Sequence, residues 1–427
     1  MKKNLLFDAT GLVDGILDGR GNGIFFTSYN ILMELVRREE FNIILYCSAK
    51  KAFLFKKANS LDKNLAKIPL AEYSDIDDAV IYWQELKYNN KIQKESKIKR
   101  LHIKIVLAFL KLLSKICYDL DLNEQYKEIF KDIDIFFSPY LAVPKEIQGI
   151  KHIQQYVLLH DVIPMILPVY NKHWKKYWFY DLYKSINKND FYFANSEFTK
   201  MDFVKHIPKF NPDHITVIPL STGGKYEVIS DKSDLERVRI KYNIPAGKKY
   251  LFSLCTLEPR KNLIFAVKNF IKFIKQNNID DFVFVLGGGH WESFIEKISE
   301  EIKDFEDKII KIGYVENEDM SALYSGAEMF VFPSLYEGFG MPILESMKCG
   351  CPVICSNITS MPEVIGDCGI QINPENDKDL IKAFEKMYFD KTFRAECIEK
   401  GLKRSERFTW EKCVGVMTKE FENNETV

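Results

Sequence analysis

The run MFVFPSLYEGFGMPILESMKCGCPVICS, Met329 to Ser356, carries a strand, a loop, a helix and a second strand in close succession. Met329–Pro333 is apolar and bounded by turn-forming residues, as a buried strand is. Ser334–Gly340 is the loop that follows. Pro342 suits the first turn of a helix, where its missing N–H costs nothing. Ile343, Leu344 and Met347 give that helix its buried stripe, Gly350 ends it, and Pro352–Ser356 is the next strand. Strand, helix and strand in this order are the unit of a parallel sheet. Open α/β sheets bind ligands at the carboxyl ends of such strands. Amide groups at the start of the helix suit a phosphate, and Gly338 and Gly340 let a ligand come close to the backbone. Glu337 in the loop and Glu345 in the helix stand on either side of that phosphate position. A nucleotide sugar offers the matching order of hydroxyls, diphosphate and hydroxyls. Taken singly, each acid has a plainer account: Glu345 in a first helical turn favours the helix dipole, and Glu337 is a solvated loop residue.

The same alternation extends outward in both directions. Asn4–Asp8, Ile43–Cys47, Ile133–Ser138, Tyr156–His160, Phe191–Asn195, Ile215–Pro219, Tyr250–Leu254 and Phe282–Leu286 read as further buried strands separated by helical segments. A chain of 427 residues is too long for one ordinary core. The pattern weakens over Ser221–Gly247, which places a first domain at 1–220, a linker at 221–247 and a second domain at 248–405, with 406–427 as a closing helix and tail.

Lys+Arg and Asp+Glu both number 60, so no global charge favours nucleic acid. The nine cysteines lack zinc-site spacing and read as reduced, buried thiols of a cytosolic protein. The start, MKKNLLFDATG, is broken at Asp8 and reads as a first strand, not a signal peptide. Within an insertion at 60–115, the segment Lys87–Lys115 sets nine basic residues against Glu95 and ends in an apolar stretch. It is too short and too interrupted to span a bilayer. Two arrangements fit it: a basic amphipathic helix on an anionic membrane surface, or a domain helix with a solvated lysine face. Lys172–Trp178, KHWKKYW, would suit a membrane-interface rim.

The string SLYEGFGMPILESMKCGCPVICSN (Ser334–Asn357) resembles the C-terminal signature of retaining glycosyltransferase family four. The resemblance implies an α/β protein of GT-B fold, in which two Rossmann-like domains with parallel sheets face each other across a cleft. LCTLEPRKNL (Leu254–Leu263) resembles the loop after the first strand of the family's second domain; by that resemblance Arg260 and Lys261 clasp the donor diphosphate. Fixed positive charge there suits a leaving group that gains negative charge. IGYVENEDMSALYSGAEMFVFPS (Ile312–Ser334) resembles the segment that meets the base, through the Val315 backbone. The loop Gly338, Phe339, Gly340 and Met341 belongs to the donor site on the same basis. RFTWEKCVGV (Arg407–Val416) resembles the last helix, which crosses back onto the first domain. SMPEVIGDCG (Ser360–Gly369) also resembles a family stretch, and Ser360 with Glu363 reads as a helix capping box.

In the first domain, GRGNGIFFTSYNILMEL (Gly19–Leu35) resembles the family's glycine loop, with Gly23 facing the donor across the cleft. LLHDVIPMILP (Leu158–Pro168) resembles its His-Asp strand end, with His160 at the donor sugar; a lone histidine after a strand is equally a structural hydrogen-bonder. Ser196 and Glu197 read as a capping motif. The resemblance implies a retaining, metal-independent hexosyltransferase with no cofactor beyond its nucleoside diphosphate sugar. Glu337 then holds sugar hydroxyls and Glu345 the ribose. The motifs look most like bacterial mannosyltransferases of polysaccharide assembly. This implies GDP-mannose and a lipid-linked glycan acceptor at the inner face of the membrane. UDP-sugars, dTDP-rhamnose, a protein acceptor and a non-catalytic sugar-nucleotide-binding partner are the alternatives. The DxD strings at Asp75–Asp77, Asp119–Asp121 and Asp132–Asp134 lie away from the Glu337 loop.

Overall fold

A computed structural model describes residues 2–18, 21–48, 55, 58, 60–71, 130–167, 178–256, 258–289 and 302–424. Two six-stranded parallel sheets organise the chain. The first contains β1 (Asn4–Asp8), β2 (Asn42–Tyr46), β3 (Ile135–Ser138), β4 (Gln154–Leu159), β5 (Phe191–Ala194) and β6 (Ile215–Val217) in the order β2-β1-β3-β4-β5-β6. The second contains β7 (Lys249–Leu254), β8 (Phe282–Gly287), β9 (Ile309–Gly313), β10 (Met329–Phe332), β11 (Val353–Ser356) and β12 (Gly369–Ile372) in the order β12-β11-β10-β7-β8-β9. Helices used below are α1 (Gly23–Arg38), α2 (Glu197–His206), α3 (Lys232–Lys241), α4 (Met320–Ser325), α5 (Met341–Lys348), α6 (Met361–Ile365) and α7 (Trp410–Asn423).

Central strands such as β4, β8 and β10 are buried at every residue, because helices cover both faces of a parallel sheet. That is why they read as unbroken apolar runs. Two strands escaped the sequence reading, β9 and β12. Both lie at sheet edges, and both mix apolar with exposed positions, IIKIG and GIQI. Strand order reverses between β1 and β3 in the first sheet and between β7 and β10 in the second. Such switch points open a crevice at the carboxyl ends of the strands.

The stretch read as a linker contains α3. This helix is pinned to the second sheet's half by the buried Asp319, which accepts hydrogen bonds from Arg237 (2.7 Å), Lys241 (2.5 Å) and Tyr242 (2.8 Å). At the other end of the chain, α7 returns to the first sheet. Phe421 is fully buried against Phe137, Tyr156 and Phe193, and the Tyr156 hydroxyl donates to the Glu420 carbonyl at 2.9 Å. Lys3 Nζ donates to the Phe421 carbonyl at 2.8 Å. Burying one such aromatic is worth about 1.5–3 kcal/mol, so the crossover helix clamps the first sheet to the end of the chain.

Eight cysteines fall among the described residues; all are free thiols and seven are buried. None of the described helices is long and apolar enough to cross a membrane. The basic segment Lys87–Lys115, most of Lys172–Trp178, and the acids at Asp75–Asp77 and Asp119–Asp121 lie outside the described residues. Asp134 caps the amide of Asn4 at 2.7 Å, at the amino end of the first sheet and away from its switch-point crevice.

Candidate active site

The loops that leave β7 and β10 flank the switch point of the second sheet. They bring Arg260, Lys261 and Glu337 together. Pro259–Lys261 form one turn of 3-10 helix, and Asn262 ends it in the left-handed region at φ 57°. Opposite, Gly340 adopts φ 103°, which favours glycine, and opens α5. Glu337 is only 9% exposed. Its Oε1 accepts from Lys261 Nζ and from Ser334 Oγ, both at 2.6 Å, and its Oε2 faces Arg260 Nη1 at 3.0 Å. Burial alone would push this carboxyl up; Lys261 and Arg260 outweigh that and hold it below the usual carboxylate range. Arg260 is itself held by Glu258 at 2.9 Å and by the Tyr336 carbonyl at 3.0 Å. Two cations and two carboxylates therefore balance each other in an enclosed site.

The first half closes over this cluster from the carboxyl ends of β4 and β5. A Cβ on Gly338 would stand 1.9 Å from the His160 carbonyl oxygen. The Gly338 carbonyl accepts from Ser196 Oγ at 2.7 Å and Thr199 Oγ1 at 3.0 Å. Gly338 is bare because the opposing backbone comes up against it, a reason that the sequence reading assigned to a ligand. Ser196 caps α2 as expected, through Thr199 N at 3.0 Å.

The capping box assigned to Ser360 and Glu363 does not form. Ser360 makes no side-chain cap and instead donates to the Glu337 carbonyl at 3.0 Å. The Glu363 carboxylate reaches across to the first half and accepts from the amides of Glu197 (2.8 Å) and Phe198 (2.7 Å). Two free amides at the start of α2 are a better partner than the single amide available locally. Tyr336 also bridges the halves by donating to Asp202.

His160 donates from Nε2 to the Pro139 carbonyl at 2.7 Å, since a carbonyl only accepts. Burial lowers its pKa to about 4, so the ring is neutral and Nδ1 is left as an acceptor. Its neighbour Asp161 is the acid of that His-Asp strand end, where only His160 was given a role. Burial pushes that carboxyl up to about 6 despite the nearby charges of Arg260 and Lys261. Gly23 opens α1 behind the N-cap Asn22, and a Cβ there would meet Met341 Sδ at 3.6 Å, so Gly23 and Met341 do face each other across the cleft. Phe339 is buried against Phe408, and Val315 is buried in the loop after β9.

Glu345 lies in the second turn of α5, not the first, because the helix begins at Met341. The dipole account of this residue therefore weakens, since that effect falls off within the first turn. Its Oε2 accepts from the Tyr324 hydroxyl at 2.9 Å, and the Tyr226 ring packs beside that of Tyr324, with centroids 6.2 Å apart. Burial raises its pKa to about 7, with both tyrosines pulling the other way. The arrangement thus offers clustered cations, an ionised carboxylate and a neutral imidazole around one cleft, with a second carboxylate deeper along α5.

Comparison with known proteins agrees with this geometry. The model for "Glycosyl transferases group 1" matches residues 234–404, which hold Arg260, Lys261, Glu337 and Glu345. The chain is 30% identical over 286 residues to O-antigen chain mannosyltransferase B of Escherichia coli, covering 66% of this chain and 72% of that one. It is 29% identical over 258 residues to the serotype-specific mannosyltransferase WbdA of Escherichia coli, covering 59% of this chain but 31% of WbdA. The crystal structure of HepE from Anabaena, solved with UDP and glucose, superposes with a TM-score of 0.64 at 14% identity, covering 99% of this chain and 100% of that one. The fold is GT-B, and the chain belongs to the group 1 glycosyltransferases. It is similar to bacterial O-antigen mannosyltransferases.

Proposed function

We propose that this glycosyltransferase transfers mannose from GDP-mannose, with retention and without a metal, to a hydroxyl of a lipid-linked glycan in bacterial surface polysaccharide assembly. The observation that carries the reading is the convergence of Arg260 and Lys261 on Glu337 beside the N-terminus of α5. The two cations and the amides of that helix supply the positive charge that a departing diphosphate requires. The mannosyl donor rests on the similarity to mannosyltransferases noted above.

In the reaction, the bond from C1 of the sugar to the diphosphate oxygen breaks as the bond to the acceptor oxygen forms on the same face. The acceptor's proton passes to the departing phosphate oxygen. Glu337 stabilises the positive charge that develops on the sugar and holds its hydroxyls. His160, neutral and fixed through Nε2, stands at the sugar with Nδ1 as an acceptor, and the Val315 backbone meets the base. Glu345 binds the ribose. The segment Lys87–Lys115 rests on an anionic membrane surface and brings the enzyme to its acceptor, a role tested by vesicle binding after Lys97, Lys99, Arg100 and Lys104 are changed to Glu.

The test of the reaction is incubation with GDP-mannose, UDP-glucose or UDP-N-acetylglucosamine and a mannosyl acceptor, followed by NMR of the new anomeric proton. Transfer from GDP-mannose giving an α-linkage supports the reading. Transfer only from a UDP-sugar, or an inverted product, refutes it.

A further inference from the structure

The switch point of the second sheet holds the cluster of Arg260, Lys261 and Glu337, and the loops that leave β1 and β3 flank the matching switch point of the first sheet. Tyr140 lies in the loop after β3 and is fastened on both sides. Ser138 Oγ accepts from the Leu141 amide at 3.0 Å and donates to Asp8 Oδ2 at 3.3 Å. The Pro139 carbonyl, one residue before Tyr140, is the acceptor that fixes His160 at 2.7 Å. The half-buried Tyr140 ring lies over Gly11 in the loop after β1, where a Cβ would stand 2.2 Å from Cε1, so a bare Cα is what seats the ring. Trp178 meets this ring edge-on, with centroids 5.5 Å apart and planes at 83°. Trp178 opens the helix Trp178–Ser185, which the fully buried Phe179 anchors, and is itself 37% exposed.

We propose that Tyr140 and Trp178 form the subsite that receives a sugar ring of the acceptor. The inference rests on the reading of the acceptor as a glycan. A transfer needs two substrates, and the crevice of the second sheet has the cations that a nucleotide diphosphate requires. The crevice of the first sheet is left for the other substrate. A pyranose ring has a face of C–H groups, slightly positive, and a rim of hydroxyls. That C–H face suits the electron-rich face of an aromatic ring. Two rings near a right angle make a corner, in which one stacks on the sugar and the other bounds it. Aromatic side chains held in place beforehand lose little freedom on binding, so the contact is pre-organised. Tyr140 follows the residue that fixes His160, so a sugar held there lies beside the donor sugar that His160 contacts. An exposed tryptophan also suits a membrane interface. The seating of its partner Tyr140 on the β1 loop, next to the support of His160, favours the cleft.

The test is transfer by the full chain to a methyl-capped mannose disaccharide and to the same disaccharide on a long alkyl chain. The donor is whichever of GDP-mannose, UDP-glucose and UDP-N-acetylglucosamine the wild type uses. Trp178→Ala and Tyr140→Leu should each raise the KM of both acceptors by about threefold to tenfold. The donor KM and the Kd of GDP and UDP should stay at their wild-type values. Tyr140→Phe keeps the ring and should keep the acceptor KM of wild type. Trp178→Ala decides the case by itself if Tyr140→Leu fails to fold, because the Trp178 side chain is exposed. An acceptor KM that Trp178→Ala leaves unchanged overturns the proposal. Acceptor and donor KM rising together also overturn it, since that marks a disturbed His160 loop. A rise confined to the alkyl-chain acceptor overturns it too, because the rings then meet the apolar chain and not the sugar. If the wild type transfers to neither disaccharide from any of the donors, the glycan reading falls and takes the proposal with it. If the wild type transfers and the variants match it, only the subsite falls.

Discussion

Replacing Glu337 with Gln should separate nucleotide binding from turnover, in opposite directions. Gln keeps the shape of the side chain and a contact to Ser334, but it removes the charge that Lys261 and Arg260 face at 2.6 and 3.0 Å. A diphosphate bound to the far side of those cations would sit roughly 6 Å from the carboxylate, the sum of two ~3 Å contacts. At an effective dielectric constant of about 20, two like charges at that separation repel by about 3 kcal/mol. Allowing for relaxation, the gain on removing the charge is about 1–3 kcal/mol, or roughly fivefold to a hundredfold tighter binding of GDP. Turnover should fall, because the charge that stabilises the sugar in the transition state is gone. The fold should lose roughly 3 kcal/mol, since breaking a buried pair leaves a cation uncompensated, here mainly Lys261 because Arg260 keeps Glu258. The assay is calorimetric titration of GDP into both proteins at one pH and ionic strength, beside kcat for transfer and a urea midpoint. GDP binding that weakens as much as turnover falls would refute the reasoning, because Glu337 would then be a ligand of the nucleotide and not its competitor.

Three further outcomes follow from other parts of the molecule. Phe421→Ala should cost about 3–5 kcal/mol in urea unfolding, because a fully buried ring at the junction of α7 and the first sheet is lost; a loss under 1 kcal/mol would mean that the crossover helix is only loosely docked. Gly338→Ala puts a methyl where only 1.9 Å separates it from the His160 carbonyl oxygen, so the halves should part and kcat/KM should fall at least tenfold, with a larger radius of gyration in X-ray scattering; wild-type values for both would show that this contact does not hold the cleft closed. Asp8, buried at the carboxyl end of β1, has a carboxyl raised from 3.8 to about 6 by burial, so its charge costs stability above about pH 6 and that cost fades as pH falls toward 4. Asp8→Asn should therefore stabilise the protein at pH 8 by at most about 3 kcal/mol and by close to nothing at pH 4; an equal effect at both pH values would contradict the assignment.

Much of the architecture was legible because a strand covered on both faces has no polar positions to break its pattern. Phe282–Leu286 and Met329–Pro333 were found to within a residue. The edge strands β9 and β12 were not, since one exposed side admits Lys311 and Gln371. At the site, Glu337 and Glu345 were read from their places in the loop and helix after a strand, and Arg260 and Lys261 from the resemblance of LCTLEPRKNL to a family loop. Their mutual contacts could not be read, because Lys261 and Glu337 lie 76 positions apart and meet only through the order of β7 and β10. Glu363 shows the same limit more sharply. Its spacing from Ser360 satisfies a local rule, yet its partners are amides 166 and 165 positions away. Asp161 stood in the quoted His-Asp strand end, directly after His160, and its burial beside Arg260 and Lys261 could be read only from the fold.

A calorimetric titration of GDP, UDP and dTDP into the purified protein, with and without EDTA, tests the central claim most directly. The account predicts that GDP binds, that UDP and dTDP bind more weakly, and that EDTA changes none of the three, because Arg260, Lys261 and the start of α5 hold the diphosphate. Binding that EDTA abolishes, or no binding of any of the three, would contradict it.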